Sequence, residues 1–163
     1  MNIDCTKPLT EEFIREFQNE VDWELISSNQ ELSESFIREF QDKVVWIYIS
    51  YYQKLSESFI KEFQDKIDWY YISLRQKLSE KFIREFKDKI SWDSISYFQE
   101  LSIEFIKEFK DKIYWKSLLE KYGYVLEFNN KYQIESNNYC SDLLDFSEFI
   151  NLALKLISLK AFQ

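Results

Sequence analysis

Apolar and polar residues recur along this chain with a period of 23 residues. Five tryptophans keep that spacing: Trp23, Trp46, Trp69, Trp92 and Trp115. Self-similarity at a fixed period of ~20–50 residues is typical of repeat architectures. Starting each copy at a recurring leucine gives five copies without insertion or deletion: residues 9–31, 32–54, 55–77, 78–100 and 101–123. The leucines that begin the copies are Leu9, Leu32, Leu55, Leu78 and Leu101.

The first half of each copy predicts a short amphipathic helix, which we call helix A. In the second copy the Ser33 hydroxyl can accept a hydrogen bond from an exposed N–H of the first turn, and Glu34 favours the positive end of the helix dipole. Phe36, Ile37 and Phe40 follow at i, i+1 and i+4 and form one apolar stripe. We therefore expect helix A to bury one face and to expose the other.

A second short helix, helix B, is expected to begin at the tryptophan. In three copies the preceding side chain can cap it: Asp22, Asp68 and Ser91. Trp46, Ile49 and Gln53 fall at i, i+3 and i+7 on the inner face of helix B, and the small Ser50 lies beside them, where helices can approach closely. The recurring glutamines are expected to bond to neighbouring backbone: Gln30, Gln53, Gln76 and Gln99.

Such short helices can be stable only by stacking. Helices of about two to three turns are unstable alone, because nucleation costs more than so few hydrogen bonds return. Each copy can bury its Phe, Ile and Trp side chains only against its neighbours, and five copies exceed the roughly three that such arrays need. The sequence therefore predicts an all-α fold, an αα-solenoid of five 23-residue two-helix repeats, of either hand. A coiled coil is disfavoured, because a 23-residue period with a break in the apolar stripe of every copy is not a heptad pattern.

The two ends of the array set the expected domain boundaries. In the last copy Leu119 and Tyr122 replace the recurring serine and glutamine, and Gly123 suits a helix C-cap. Apolar residues return at helical spacing near the C-terminus. We expect an N-terminal lead-in over residues 1–8, the five-repeat solenoid over 9–123, and a C-terminal loop and capping helix over 124–163.

The composition argues against catalysis. The chain has no histidine, which removes the commonest general base and the usual zinc ligand. With one glycine, Gly123, it has no phosphate-binding loop. Cys5 and Cys140 lie at opposite ends of the chain and are expected to be free thiols. We expect a protein that is not an enzyme, with no catalytic, cofactor-binding or metal-binding residues and no cofactor.

Charge and hydropathy also limit the expected partners. A net charge of −8 disfavours nucleic acid, including RNA read by a helical repeat. The chain has no apolar stretch of the ~20 residues that span a bilayer and no signal-peptide h-region, so we expect no membrane association and a soluble, cytoplasmic protein. The abundant carboxylates are expected to form pairs on the surface of helix A, four residues before a lysine: Glu39 with Lys43, Glu62 with Lys66, Glu85 with Lys89, and Glu108 with Lys112.

The tryptophans and the variable positions of helix B are the candidates for a functional role. Indole rings can stack on nucleobases or cations, but their fixed place in the repeat favours a structural core of Trp23, Trp46, Trp69, Trp92 and Trp115. Positions that vary between copies are unexpectedly apolar on helix B of copies two to four: Ile47, Tyr48, Tyr51, Tyr52, Tyr70, Tyr71, Leu74, Tyr97 and Phe98. These residues form either a partner-binding patch or part of the core between repeats, and the sequence leaves both open.

The pattern Trp-x-x-Ile-Ser-x-x-Gln-x-Leu-Ser-Glu-x-Phe-Ile, from Trp69 to Ile83, resembles the tandem repeats of uncharacterised proteins from giant viruses of amoebae and some phages. The resemblance covers residues 9–123 and implies no activity. It implies that the protein acts in the cytoplasm of an infected host cell or in the virus particle.

Together these features predict a non-enzymatic repeat scaffold that mediates protein–protein interaction. The alternative is a structural or self-assembling component, a homo-oligomer in which contacts between copies of the chain dominate.

Overall fold

The structure is a computed structural model that describes residues 3–122 and residues 151, 154, 155 and 157. Over residues 3–122 the chain forms ten helices and no strand, which confirms the predicted all-α, solenoid-like repeat. The predicted loop and capping helix lie outside the described residues, except for four helical positions, of which Leu154 and Ile157 are buried.

Each of the five copies contains the two expected helices. Helix A of the successive copies is α1 (Glu11–Glu16), α3 (Glu34–Glu39), α5 (Glu57–Glu62), α7 (Glu80–Glu85) and α9 (Ile103–Glu108). Helix B is α2 (Trp23–Asn29), α4 (Trp46–Tyr52), α6 (Trp69–Arg75), α8 (Trp92–Phe98) and α10 (Trp115–Tyr122).

Side-chain caps start nearly all of these helices where the sequence predicts them. Helix A is capped in every copy by a hydroxyl that accepts from a backbone N–H three residues later, on Thr10, Ser33, Ser56, Ser79 and Ser102. Asp22, Asp68 and Ser91 cap helix B in the first, third and fourth copies. The second copy has Val45 at this position, and α4 has no side-chain cap.

The chain divides into two compact units, Met1–Leu78 and Ser79–Gln163. The first unit contains α1 to α6, in which α4 packs against both α2 and α6. The second contains α7 to α10, in which α8 packs against α10. Within each unit, helix B of one copy therefore packs on helix B of the next, as a solenoid-like repeat requires.

Isoleucine and phenylalanine form the fully buried centre of each copy. In the second copy Phe36, Ile37 and Ile49 have no exposed surface, and Phe59, Ile60 and Ile72 repeat the arrangement in the third. Burying each such side chain contributes about 1.5–3 kcal/mol relative to leaving it in water. In helix B the isoleucine and the serine that follows it are thus fully buried, as Ile49 and Ser50 are in α4, whereas the tryptophan that starts the helix is less buried.

Buried glutamines fix the distance between successive copies. The Gln53 amide oxygen accepts from the Leu32 N–H at 3.0 Å, and its Nε2 donates to Ser27 O at 3.1 Å and to Gln30 O at 2.8 Å in the preceding copy. Gln76 makes the equivalent bonds to Leu55, Ser50 and Gln53. The prediction that these glutamines bond to neighbouring backbone is confirmed in the first unit.

The N-terminal segment takes the place of a preceding copy. Gln30 Nε2 donates to Cys5 O at 2.8 Å and to Lys7 O at 2.9 Å, while its oxygen accepts from the Leu9 N–H at 2.8 Å. Cys5 is a buried free thiol, as predicted, and Cys140 lies outside the described residues. The segment before Leu9 therefore satisfies the first buried glutamine.

Serine links helix B of one copy to the start of helix B in the next. Ser27 Oγ donates to Trp23 O at 2.7 Å and accepts from the Val45 N–H at 2.9 Å. Ser50 accepts in the same way from the Asp68 N–H at 2.9 Å. The sequence predicts only a small residue here, whereas the hydroxyl also satisfies a backbone donor of the neighbouring copy.

A missing cap on α4 gives the first prediction. Val45→Asp should add the side-chain acceptor that Asp68 supplies to α6 and should stabilise the fold by about 1 kcal/mol. The matched change Asp68→Ala should destabilise it by a similar amount. Chemical denaturation of both variants tests this, and a Val45→Asp protein less stable than the wild type would contradict it.

The buried glutamines give the second prediction. Gln53→Leu removes three hydrogen bonds and leaves buried backbone groups without that partner, so it should lower the free energy of unfolding by roughly 2–5 kcal/mol. Gln41→Leu is the control, because that partly exposed side chain accepts only from Lys66 on the surface; it should cost about 0.5 kcal/mol. Equal losses in the two variants would refute a special role for Gln53.

Candidate functional site

The predicted core tryptophans lie at the edge of the core. Trp23, Trp46, Trp69 and Trp92 are partly exposed, and Trp115 is buried at 6% exposure. In every copy the indole Nε1–H donates to the carbonyl oxygen five residues earlier, on Gln18, Gln41, Gln64, Lys87 and Lys110. The polar atom of each indole is therefore used by the turn between helix A and helix B.

Side chains of the next copy contact the indole rings. The Trp46 ring lies 6.3 Å from the Phe59 ring and 5.0 Å from the Phe63 ring, between ring centroids, and Lys66 Nζ lies 5.7 Å from the Trp46 centroid. Trp92 has the same surroundings in the second unit, with Phe105, Phe109 and Lys112. Because phenylalanine and lysine side chains of the next copy contact the rings of Trp46 and Trp92, these tryptophans are poorly placed to stack on a ligand.

Glutamates on helix A pair with arginine of the preceding copy. Arg15 Nε lies 2.8 Å from Glu39 Oε2, and Arg38 Nε lies 2.9 Å from Glu62 Oε2. The predicted pair between Glu39 and Lys43 is wrong, because Lys43 Nζ donates to Gln18 and Asn19.

The same correction holds further along the chain. Glu62 and Glu108 pair with Arg38 and Arg84, while Lys66 and Lys112 reach aspartates of the preceding copies. The hydrogen bond to Glu39 is the main reason that the pKa of Arg15 is raised above its ordinary value. These groups are exposed or partly exposed, and ion pairs at such positions contribute little to stability.

The last copy replaces its glutamine contact with a lysine. Lys121 Nζ donates to Gln99 O, the kind of carbonyl that a glutamine amide reaches in the first unit. Burial lowers the pKa of Lys121, and the charge of Glu100 opposes that effect. Leu119, at the position of the recurring serine, is buried. The copy that lacks the recurring serine and glutamine thus contacts the preceding copy through a lysine instead.

All nine predicted partner-binding residues lie outside the fully buried core. Ile47, Tyr52 and Tyr70 are 45%, 53% and 55% exposed. Four others are partly buried: Tyr48, Tyr51, Tyr71 and Leu74. In the second unit Tyr97 and Phe98 are also exposed, with ring centroids 4.7 Å apart. Five of the nine side chains are therefore exposed, and four are partly buried.

Four tyrosines and one isoleucine on α4 and α6 surround a small open cavity of about 130 Å³. We call this the tyrosine pocket; its lining residues are Ile47, Tyr48, Tyr51, Tyr52 and Tyr71. The Tyr51 ring meets the Tyr52 ring at 76° and the Tyr71 ring at 87°, with centroids 4.6 Å and 5.1 Å apart. The sequence places these residues on two helices but does not show that they enclose a cavity.

Arg75 lies beside the tyrosine pocket without lining it. Its guanidinium carbon is 4.7 Å from the Tyr51 ring centroid, and its Nε donates to Tyr51 O at 3.4 Å. Tyr51 is thereby held from the neighbouring copy, which orients one wall of the pocket. The sequence analysis does not single out Arg75, because an exposed arginine on a helix carries no signal of its own.

The comparisons give no family to which this chain can be assigned: no family model, no curated protein and no solved structure matches it. Among the residues that the structure describes, no group of three or more His, Cys, Asp or Glu side chains is arranged to hold a metal ion. Within that same part of the chain, no helix is long and apolar enough to cross a membrane.

The contrast between indole and surface tyrosine gives the third prediction. Trp46→Ala removes the ring packed on Phe59 and Phe63 and should lower the free energy of unfolding by about 3 kcal/mol. Tyr52→Ser, at an exposed position, should change it by about 0.5 kcal/mol. Thermal unfolding of both proteins makes the comparison, and a Trp46→Ala variant as stable as Tyr52→Ser would show that the indole is not structural.

Proposed function

We propose that this chain is a non-enzymatic scaffold that binds a protein partner through the exposed aromatic surface of α4 and α6. The observation that carries this proposal is the exposure of Ile47, Tyr52 and Tyr70, each close to half accessible. They lie on helices whose isoleucines, Ile49 and Ile72, are fully buried. Large tyrosine side chains with a polar end are enriched at the hot spots of protein interfaces.

The framework and the surface use different residues. The recurring glutamine, serine and tryptophan side chains bond to backbone of the preceding, the next and the same copy, as Gln53, Ser50 and Trp46 do in turn. The rings of Tyr52 and Tyr70 pack against neighbouring tyrosine rings. A partner can therefore engage the tyrosines without breaking the contacts that join one copy to the next.

The aromatic surface has a polar border. At the positions of Ile47 and Tyr52, the first copy has Glu24 and Asn29, both exposed. Stable interfaces combine a desolvated centre with a polar rim, and their binding energy concentrates in the centre. The change from polar residues on α2 to apolar residues on α4 therefore suits the edge of a binding surface.

The size of the tyrosine pocket favours a side chain of a protein over a free small molecule. Its volume of about 130 Å³ is below the ~300–1,000 Å³ of ordinary ligand pockets. A cavity of ~150 Å³ accommodates a benzene ring, so the pocket has room for one side chain. A single anchored side chain, with the exposed aromatic surface beside it, fits a protein interface.

A displayed random-peptide library tests the proposed interaction and gives the fourth prediction. Peptides selected on the wild-type protein should bind the double variant Tyr52→Ser, Tyr70→Ser at least about tenfold more weakly, since hot-spot side chains each contribute ~2 kcal/mol or more. Tyr114→Ser is the matched control, because Tyr114 is an exposed tyrosine outside the proposed surface, and it should bind normally. Selected peptides that bind all three proteins equally would overturn the proposal.

Sedimentation velocity distinguishes the proposed binding of a partner from the alternative, self-assembly of this chain. Under the proposal the wild-type chain stays monomeric over a wide range of concentration, and the tyrosine variants sediment like it. Dimers or longer species that disappear in the double variant would instead assign the same aromatic surface to contacts between copies of this chain.

A further inference from the structure

We propose that the tyrosine pocket binds a cationic side chain, lysine or arginine, from a basic segment of the partner. This inference rests on the proposed protein-binding function and adds the chemistry of the residue that enters the pocket. Four of the five lining residues are tyrosines, and no charged side chain lines the pocket. Arg75, which has the occupant's own charge, already contacts Tyr51, so the proposed cation contacts the rings of Tyr48, Tyr52 and Tyr71. A cation over the face of an aromatic ring is attracted by the negative potential of that face.

The ring geometry suits a cation better than an aliphatic side chain. Tyr51 lies nearly perpendicular to both Tyr52 and Tyr71, and Tyr48 is tilted by 51° to Tyr52 with centroids 6.2 Å apart. Rings at steep mutual angles present faces and edges from several directions around one space. Cages of aromatic rings recognise quaternary ammonium groups through the same attraction.

This protein already places cations on aromatic rings of the same helices. Arg75 lies over Tyr51, and Lys66 lies over Trp46, at 4.7 Å and 5.7 Å from the ring centroids. In both cases the cation comes from the copy that follows the ring. Such contacts contribute more when the cation is partly withdrawn from water, as it would be in the tyrosine pocket.

Charge complementarity points to the same occupant. Residues 1–78 contain 9 Lys and Arg and 15 Asp and Glu, so this unit has a net charge of 9 − 15 = −6. An acidic unit attracts a basic segment over about one Debye length and repels an acidic one. Lysine and arginine also have aliphatic stems, which can lie on Ile47 at the wall of the pocket while the charge contacts the tyrosine rings.

Short blocked peptides that differ only in one central residue test the inference directly. Lysine and arginine peptides are compared with a norleucine peptide, which keeps the aliphatic stem and lacks the charge. In low-salt buffer the lysine and arginine peptides should shift the ring resonances of Tyr48, Tyr51, Tyr52 and Tyr71 in NMR spectra. They should bind at least about threefold more tightly than the norleucine peptide.

Variants of the tyrosine rings distinguish binding of the cation in the pocket from general attraction of a basic peptide to an acidic protein. Tyr52→Phe keeps the aromatic face and should keep the preference for lysine over norleucine. The double variant Tyr48→Leu, Tyr52→Leu keeps apolar side chains without the ring faces and should lose that preference. Tyr97→Leu makes the same change on an exposed tyrosine of the second unit and should leave it unchanged. Circular dichroism of each variant verifies that it is folded.

The outcomes distinguish this inference from the broader function. Equal binding of norleucine and lysine would overturn a cationic occupant, and a lysine preference that survives in the double leucine variant would overturn its location. Library peptides that depend on Tyr70 but tolerate Tyr52→Leu would support the aromatic surface while overturning the pocket. If no library peptide depends on either tyrosine, the proposed function itself fails.

Discussion

The structure depends on buried amide hydrogen bonds between copies that are each too short to fold alone. A helix of seven residues leaves most of its backbone groups without partners inside the helix, and those groups must be satisfied elsewhere. Gln53 meets this need from a fully enclosed position, with one acceptor and two donor contacts. Because its bonds reach main-chain atoms, they fix the offset between copies regardless of which side chains occupy the surface.

Much of the fold could be predicted from the sequence because its signals are local. The hydroxyl of Ser33 and the carboxylate of Asp68 cap their helices within three residues, so the bond is visible in a single copy. The exact 23-residue period then transfers each assignment to the other copies. The glutamine was predictable for a different reason, since a polar residue on an apolar helix face must find a hydrogen-bond partner when it is buried.

Contacts between copies were less predictable, since one copy holds the donor and the next holds the acceptor. Glu39 lies four residues before Lys43 but is paired with Arg15, 24 residues earlier. Lys43 belongs to the same copy as Glu39 and Arg15 to the preceding copy, and only the packing of one copy on the next decides between them. The tyrosine pocket has the same origin, because Tyr52 and Tyr71 become neighbours only when α4 and α6 pack together.

The serine link has an evolutionary consequence. Ser27 offers its hydroxyl to the backbone N–H of Val45, and Ser50 offers its own to that of Asp68, so the acceptor does not distinguish one following residue from another. A stretch of 23 residues therefore behaves as a cassette whose two ends match. Duplication of such a cassette preserves the hydrogen bonds on both sides and leaves the outward residues of the new copy free to diverge. The array can therefore gain surface by unequal recombination, without a change in its interior.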